Sequence, residues 1–226
     1  MSASTSPPAY TLTYFDARGL AEVTRYLFAI TETPYQDKRL PLHFKVPGDF
    51  STIVKEEFDT AKNKGEFRVG MDRVPVLDAD GVRLAQSKAI ERFVARRVGC
   101  LGKDDVEAAQ IDIVTEHVRD IKQAYQKVRG VEDADEKSKA TDAWFSTDLA
   151  DYSRKLEAVV ASTVARHERI NLAHVTLYYF YHFFFDRSDE ARKTIAHCPN
   201  ITAYCARIAQ NPRVQHWENV RNKTDL

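Results

Sequence analysis

The chain has 226 residues, with 33 basic and 33 acidic side chains in balance. That length can bury a substantial core as one large domain or two modest ones, and the lack of net charge argues against nucleic acid or an anionic membrane as a partner. Its three cysteines, Cys100, Cys198 and Cys205, are too few and too scattered for a disulfide framework and lack metal-ligand spacing, so a reducing compartment and no metal are expected.

The start, "MSASTSPPAY", has neither a basic cluster nor an apolar core, so residues 1–9 read as a flexible tail rather than a secretory signal, with the cytoplasm as the default location. Residues 10–15 alternate as a short strand. After Gly19 the period changes, and Leu20, Val23, Leu27 and Ile30 recur at helical spacing. A second strand is expected over Gln36–Leu40. From His43 to Gly70 the pattern weakens, and a long connection carrying a short helix near Phe58–Lys62 is expected. "RVPVLDADGVRLA" then reads as a hairpin, with Asp80-Gly81 supplying the positive-φ residues of a tight turn. Pro75 has no N–H and belongs at a strand start or edge. Ser87 sits where a helix begins, with Ile90, Phe93, Val94 and Val98 as its apolar stripe.

Gly99–Gly102 marks a change to all-helical character. Asp104 with Glu107 makes a capping-box-like start to a long helix through Val128, with Ile113, His117, Ile121, Tyr125 and Val128 expected on one face. Phe145, Leu149, Tyr152, Leu156 and Val159 line another helix. "INLAHVTLYYFYHFFF" is apolar nearly all round but shorter than the ~20 residues a bilayer needs, so it reads as a buried helix. Two further helices, "NITAYCARIA" and "RVQHWENV", are separated by a helix-breaking Asn-Pro.

"LTYFDARGLAE", then "VPVLDADG", then "LAQSKAI", then a helical second half: in this order the chain resembles the cytosolic glutathione transferases, most closely their sigma class, which includes prostaglandin D synthases and S-crystallins. The resemblance implies an α/β thioredoxin-like domain over 10–98, a mixed four-stranded sheet in the order βαβ-ββα, followed by an all-α domain over 99–226. It implies glutathione as co-substrate, no metal, a homodimer, and a detoxifying transferase in which the glutathione thiolate attacks a small apolar electrophile held between the halves. A glutathione-dependent isomerase of prostaglandin D synthase type and a non-catalytic protein of S-crystallin type stay open.

Residue by residue, the resemblance makes Tyr14 the catalytic hydroxyl that donates to the glutathione sulfur, whereas its own strand makes it only a packing aromatic. A free thiol has a pKa near 8.5, and lowering it by about two units corresponds to roughly 2.7 kcal/mol in favour of thiolate. Arg18 is either a second catalytic charge or a structural arginine. Pro75 matches a cis-proline, Val74 the position whose backbone pairs with the cysteinyl part of glutathione, and Arg73 adjoins them. Gln86 and Ser87 match the pair that holds the γ-glutamyl end, and Asp120 the acid that reaches its amine from a neighbouring subunit. Phe58 and Lys62 repeat the spacing of two further glutathione contacts, and Phe15, Asp16, Tyr125 and Tyr152 are placed toward the electrophile. Two departures stand out: Leu20 where the class often has a second arginine, and His174 in place of an acid at the cap of the buried helix, whose N-cap is Asn171.

Overall fold

The computed structural model describes residues 9–46, 52–164 and 169–224; residues 1–8 of the expected tail lie outside them. The chain divides into two compact units: Met1–Val94 with His216–Leu226, and Ala95–Gln215.

In the first unit, β1 (Tyr10–Phe15), α1 (Glu22–Thr31) and β2 (Gln36–Leu40) form a crossover that returns parallel to β1. The hairpin β5 (Val76–Ala79) and β6 (Val82–Ala85) adds antiparallel on the other side, giving a four-stranded sheet in the order β2-β1-β5-β6. This is the mixed sheet the resemblance implies. Its hairpin turn has φ of 50° at Asp80 and 80° at Gly81, as a two-residue turn matched to strand twist requires. Period-2 alternation sorts β1 between two faces. The Tyr10 ring lies 5.3 Å from Phe28 of α1, and Leu12 is wholly buried on the same side. Phe15 faces the other way, its ring 5.1 Å from Phe58 of α2 (Glu56–Asn63). The connection before β5 is more structured than its weak pattern suggests. It holds a two-residue ribbon, β3 (His43–Phe44) with β4 (Ile53–Val54), then α2 and a 3-10 turn at Arg68–Gly70. The Val74–Pro75 bond is cis, and α3 (Ser87–Arg97) follows β6 directly.

The last residues belong with this sheet unit rather than with the helices that precede them in sequence. Trp217, near the end of α10 (Pro212–Val220), donates its indole N–H to Glu22 at 2.9 Å, and the Arg39 guanidinium lies 5.9 Å over the Trp217 ring.

The second unit is built on α4 (Asp105–Arg129), capped by the Asp104 carboxylate, which accepts the Glu107 N–H at 2.9 Å. Its buried face is Ile111, Val114, Val118, Ile121 and Tyr125, while Ile113 is 43% exposed and His117 is exposed. The expected stripe through Ile113 and His117 is therefore corrected. Each i,i+4 step overshoots a turn by about 40°, so a stripe of repeated +4 steps drifts off the face on which it starts. After α5 (Ala134–Ala143), a π-helical turn at Trp144–Asp148 adds a residue before α6 (Leu149–Ser162), which lets the adjacent Trp144 and Phe145 both turn inward. The apolar run becomes α7 (Leu172–Tyr179), buried at every position, plus a second π turn at Phe180–Phe184. α8 (Ser188–Lys193) and α9 (Pro199–Ala209) complete the unit, and α9 packs against α6 and α7. Among the described residues no helix is long and apolar enough to cross a membrane.

Candidate functional site

Tyr14 is the last residue of β1 to point toward α1, and it is only 9% exposed. The loop from Asp16 to Ala21 curls back over it. Gly19 takes a φ of 40° there, and a Cβ at this position would lie 2.5 Å from the Tyr14 hydroxyl oxygen. The next backbone N–H, that of Leu20, donates to that oxygen at 3.2 Å. Arg25 of α1 is wholly buried behind the loop. It donates to the Ala17 carbonyl at 2.6 Å, pairs with Glu22 at 3.2 Å, and sits 6.0 Å from the Tyr14 ring centre. Burial pushes the Tyr14 phenol pKa up, and the Leu20 N–H and the Arg25 charge offset only part of this. The phenol is therefore protonated near neutral pH. Its oxygen accepts from Leu20, and among the described residues its O–H proton is donated to no partner. A buried, protonated hydroxyl with its proton uncommitted is a donor set for an incoming anion.

Sheet register brings the other motif residues beside it. β1 pairs with β5 as far as Thr13 opposite Val76, and β5 with β6 as far as Val76 opposite Ala85. One step further along both ladders sets Tyr14, Pro75 and Gln86 in a single row across the end of the sheet. Gln86 has a φ of 70° and its carbonyl accepts the Ile90 N–H at 3.0 Å, so the chain turns sharply into α3 and aims the helix N-terminus at this row. Ser87 is half-buried at the first position of that helix. Among the described residues Val74 forms no backbone hydrogen bond, so its peptide groups stand beyond the end of the ladder.

The remaining sequence-derived candidates fall into different surroundings. Arg18 is half-buried, and Arg73 and Lys62 are exposed in the same unit. Phe58 is 6% exposed, stacked on Phe67 at 5.3 Å and against Phe15, with the Lys55 ammonium 4.8 Å over its ring, so packing takes up its faces. Asp16 is engaged as well: Arg39 donates to it at 2.8 Å and the Asn222 amide at 3.0 Å to each oxygen. Burial raises the Asp16 pKa, but those hydrogen bonds and the Arg39 charge outweigh it and hold the carboxyl below its usual value. In the second unit Asp120 is exposed, with Arg119 at 3.8 Å. Tyr125 is buried among Trp144, Phe145, Phe184 and Phe185, and Tyr152 is half-buried beside Trp144. Burial pushes the Cys100 thiol up to about 11 and Cys205 to about 12, so neither is a thiolate near neutral pH. A cavity of about 310 Å³ opens on the far face of the sheet, lined by Thr11, Thr13, Lys38, Glu66, Asp78 and Arg83, on the side away from the Tyr14 hydroxyl.

Sequence reading missed Arg25 and Glu22. In "GLAEVTRYL" they look like the solvated charges of an amphipathic helix, yet they are 0% and 1% exposed.

Residues 10–96 match the family described as Glutathione S-transferase, N-terminal domain, and residues 119–221 the family described as Glutathione S-transferase, C-terminal domain. The chain belongs to the glutathione S-transferase family. Similar proteins include hematopoietic prostaglandin D synthase of Gallus gallus, 36% identical over 131 residues, which are 58% of this chain and 57% of that protein. Glutathione S-transferase 1 of Ascaris suum is 33% identical over 132 residues, 57% of this chain and 56% of that protein. These alignments span little more than half the length of either relative. The solved structure of prostaglandin synthase D of Nilaparvata lugens shares the fold with a TM-score of 0.75 at 21% identity, covering 96% of this chain and all of that one.

The first unit has groups whose chemistry suits an anionic peptide ligand. A helix N-terminus preceded by Gln86 and opened by Ser87 suits a carboxylate. The unpaired peptide groups of Val74 suit an antiparallel backbone, and the uncommitted Tyr14 proton suits a sulfur anion.

Proposed function

We propose that this chain is a glutathione transferase that binds glutathione at the end of the sheet and holds its sulfur as thiolate beside Tyr14 for attack on small apolar electrophiles. One observation carries the reading: the buried Tyr14 hydroxyl, in register with Pro75 and Gln86, accepts from Leu20 and keeps its own proton to give. Tyr14 donates to the sulfur, Leu20 N–H makes the phenol a stronger donor, and the buried Arg25 adds positive potential from behind. Leu20 thus contributes its main chain, while its side chain is 56% exposed. Val74, Gln86 and Ser87 orient the peptide, which turns attack into a step within one complex.

The test is ultraviolet titration of bound glutathione. A thiol pKa well below the free value of about 8.5 is expected, so the thiolate is present above the bound pKa and the conjugation rate rises with pH through it. In Tyr14→Phe the inflection should move back up toward about 8.5. An unchanged inflection would remove Tyr14 from the chemistry. The similarity to a prostaglandin D synthase favours a second reading, isomerisation with glutathione regenerated. Labelled glutathione separates the two: label retained in the product supports transfer, and turnover without its consumption supports isomerisation.

A homodimer belongs to the same proposal. Val106, Ile113 and Asp120 recur every seven residues along the exposed side of α4, a stripe suited to a second copy. Sedimentation equilibrium that finds only monomer at micromolar concentration would count against it.

A further inference from the structure

We propose that the C-terminal segment Trp217–Asn222 is a positioning element of the thiol-activating site, clipping both ends of the loop that seats the Tyr14 hydroxyl. The proposal rests on the role given to Tyr14 above. The loop leaves β1 at Asp16 and enters α1 at Glu22, and its apex, Gly19–Leu20, touches the hydroxyl. At its start, Asn222 donates to both oxygens of the Asp16 carboxylate. At its end, one oxygen of the buried Glu22 carboxylate accepts Arg221 at 2.6 Å and Trp217 at 2.9 Å, while the other accepts Arg25 at 3.2 Å. Arg25 in turn holds the Ala17 carbonyl inside the loop at 2.6 Å. Tyr26, one turn along α1, donates to Glu218 at 2.6 Å and so fixes the segment against that helix.

The contact this arrangement protects is sensitive. The Leu20 N–H reaches the phenol oxygen at 3.2 Å, at the long end of normal hydrogen bonds, so a small outward movement of the loop forfeits it. The loop contains a glycine in the left-handed region and has wide backbone freedom of its own. Anchors at Asp16 and Glu22 remove that freedom from both sides, and three of the groups that hold them, Asn222, Arg221 and Trp217, come from about 200 residues away in sequence.

Substitution at Glu22 or Arg221 would strand a buried charge and risk unfolding. The exposed Asn222 gives the clean test, on the full chain. In Asn222→Ala the bound-thiol pKa should rise by about 0.5, and in Asn222→Asp by more, because a second carboxylate then repels Asp16. Asn222→Gln should restore most of the wild-type value. Affinity for S-methylglutathione, which has no thiol proton, should stay unchanged in all three. A wild-type thiol pKa in Asn222→Asp overturns the proposal, as does a parallel loss of S-methylglutathione binding, which would mean general distortion. Failure of the parent reading looks different: the wild-type protein itself, or Tyr14→Phe, would then show no effect on the thiol.

Discussion

A Cβ at Gly19 would meet the Tyr14 hydroxyl oxygen at 2.5 Å and its Cε1 at 2.9 Å, and Tyr14 is buried with little room to yield. Gly19→Ala also forces a side chain into a φ of 40°, at a cost of about 1–3 kcal/mol. The variant should lose that much stability in urea melts and about tenfold or more in kcat/KM for conjugation, since small misplacement of a catalytic group is costly. Wild-type kinetics in Gly19→Ala would show that the loop apex does not set the hydroxyl. Tyr14, Pro75, Gln86 and Ser87 were legible as candidates because each sits in a short motif with a fixed neighbour. Arg25 and Glu22 were not, because a charge on a helix is solvated by default, and their burial depends on Asp37, Arg221 and Trp217.

At the next scale, α7 begins with a complete cap despite its unusual residues. The Asn171 side chain accepts from the N–H groups of Ala173 and His174 at 3.0 and 3.3 Å, and the His174 ring stacks on Tyr204 at 3.8 Å. The histidine thus serves as cap and packing residue together, and the departure from an acidic residue leaves the cap intact. Asn171→Ala should cost about 0.5–2 kcal/mol in denaturant melts and leave the bound-thiol pKa untouched. A shifted thiol pKa would couple this helix to the chemistry, contrary to expectation. The order of the four sheet strands and the longer helices followed from periodicity, but the β3–β4 ribbon, α5 and α8 did not. The facing of α4 was misread because repeated steps of four residues drift off the face on which they start. The two π turns were missed because one extra residue in a turn re-phases everything after it and leaves no mark on the local hydrophobic pattern.

For the whole molecule, the proposed glutathione site lies within one of two units, which makes ligand stabilisation informative. At 100 times Kd, glutathione should add about 2.7 kcal/mol to the state that binds it, and for a chain of this size that raises Tm by about 5–10 °C. Calorimetry should show the shift in the transition of the sheet unit. If the helical unit melts separately, its own transition should stay in place. No shift at any glutathione concentration would sink the assignment of the peptide to the row formed by Tyr14, Pro75 and Gln86.

By itself the sequence determined the class of fold, the hairpin and its turn, and the residues around which a thiol site could be argued, since periodicity, turn chemistry and short motifs are local properties. Tertiary structure alone decided which charges are interior and what holds the loop over Tyr14. Glu22 and Arg221 stand 199 positions apart, and Asp16 and Asn222 stand 206 apart. A buried carboxylate is tolerable only where a cation is brought to meet it, and no local pattern records that meeting.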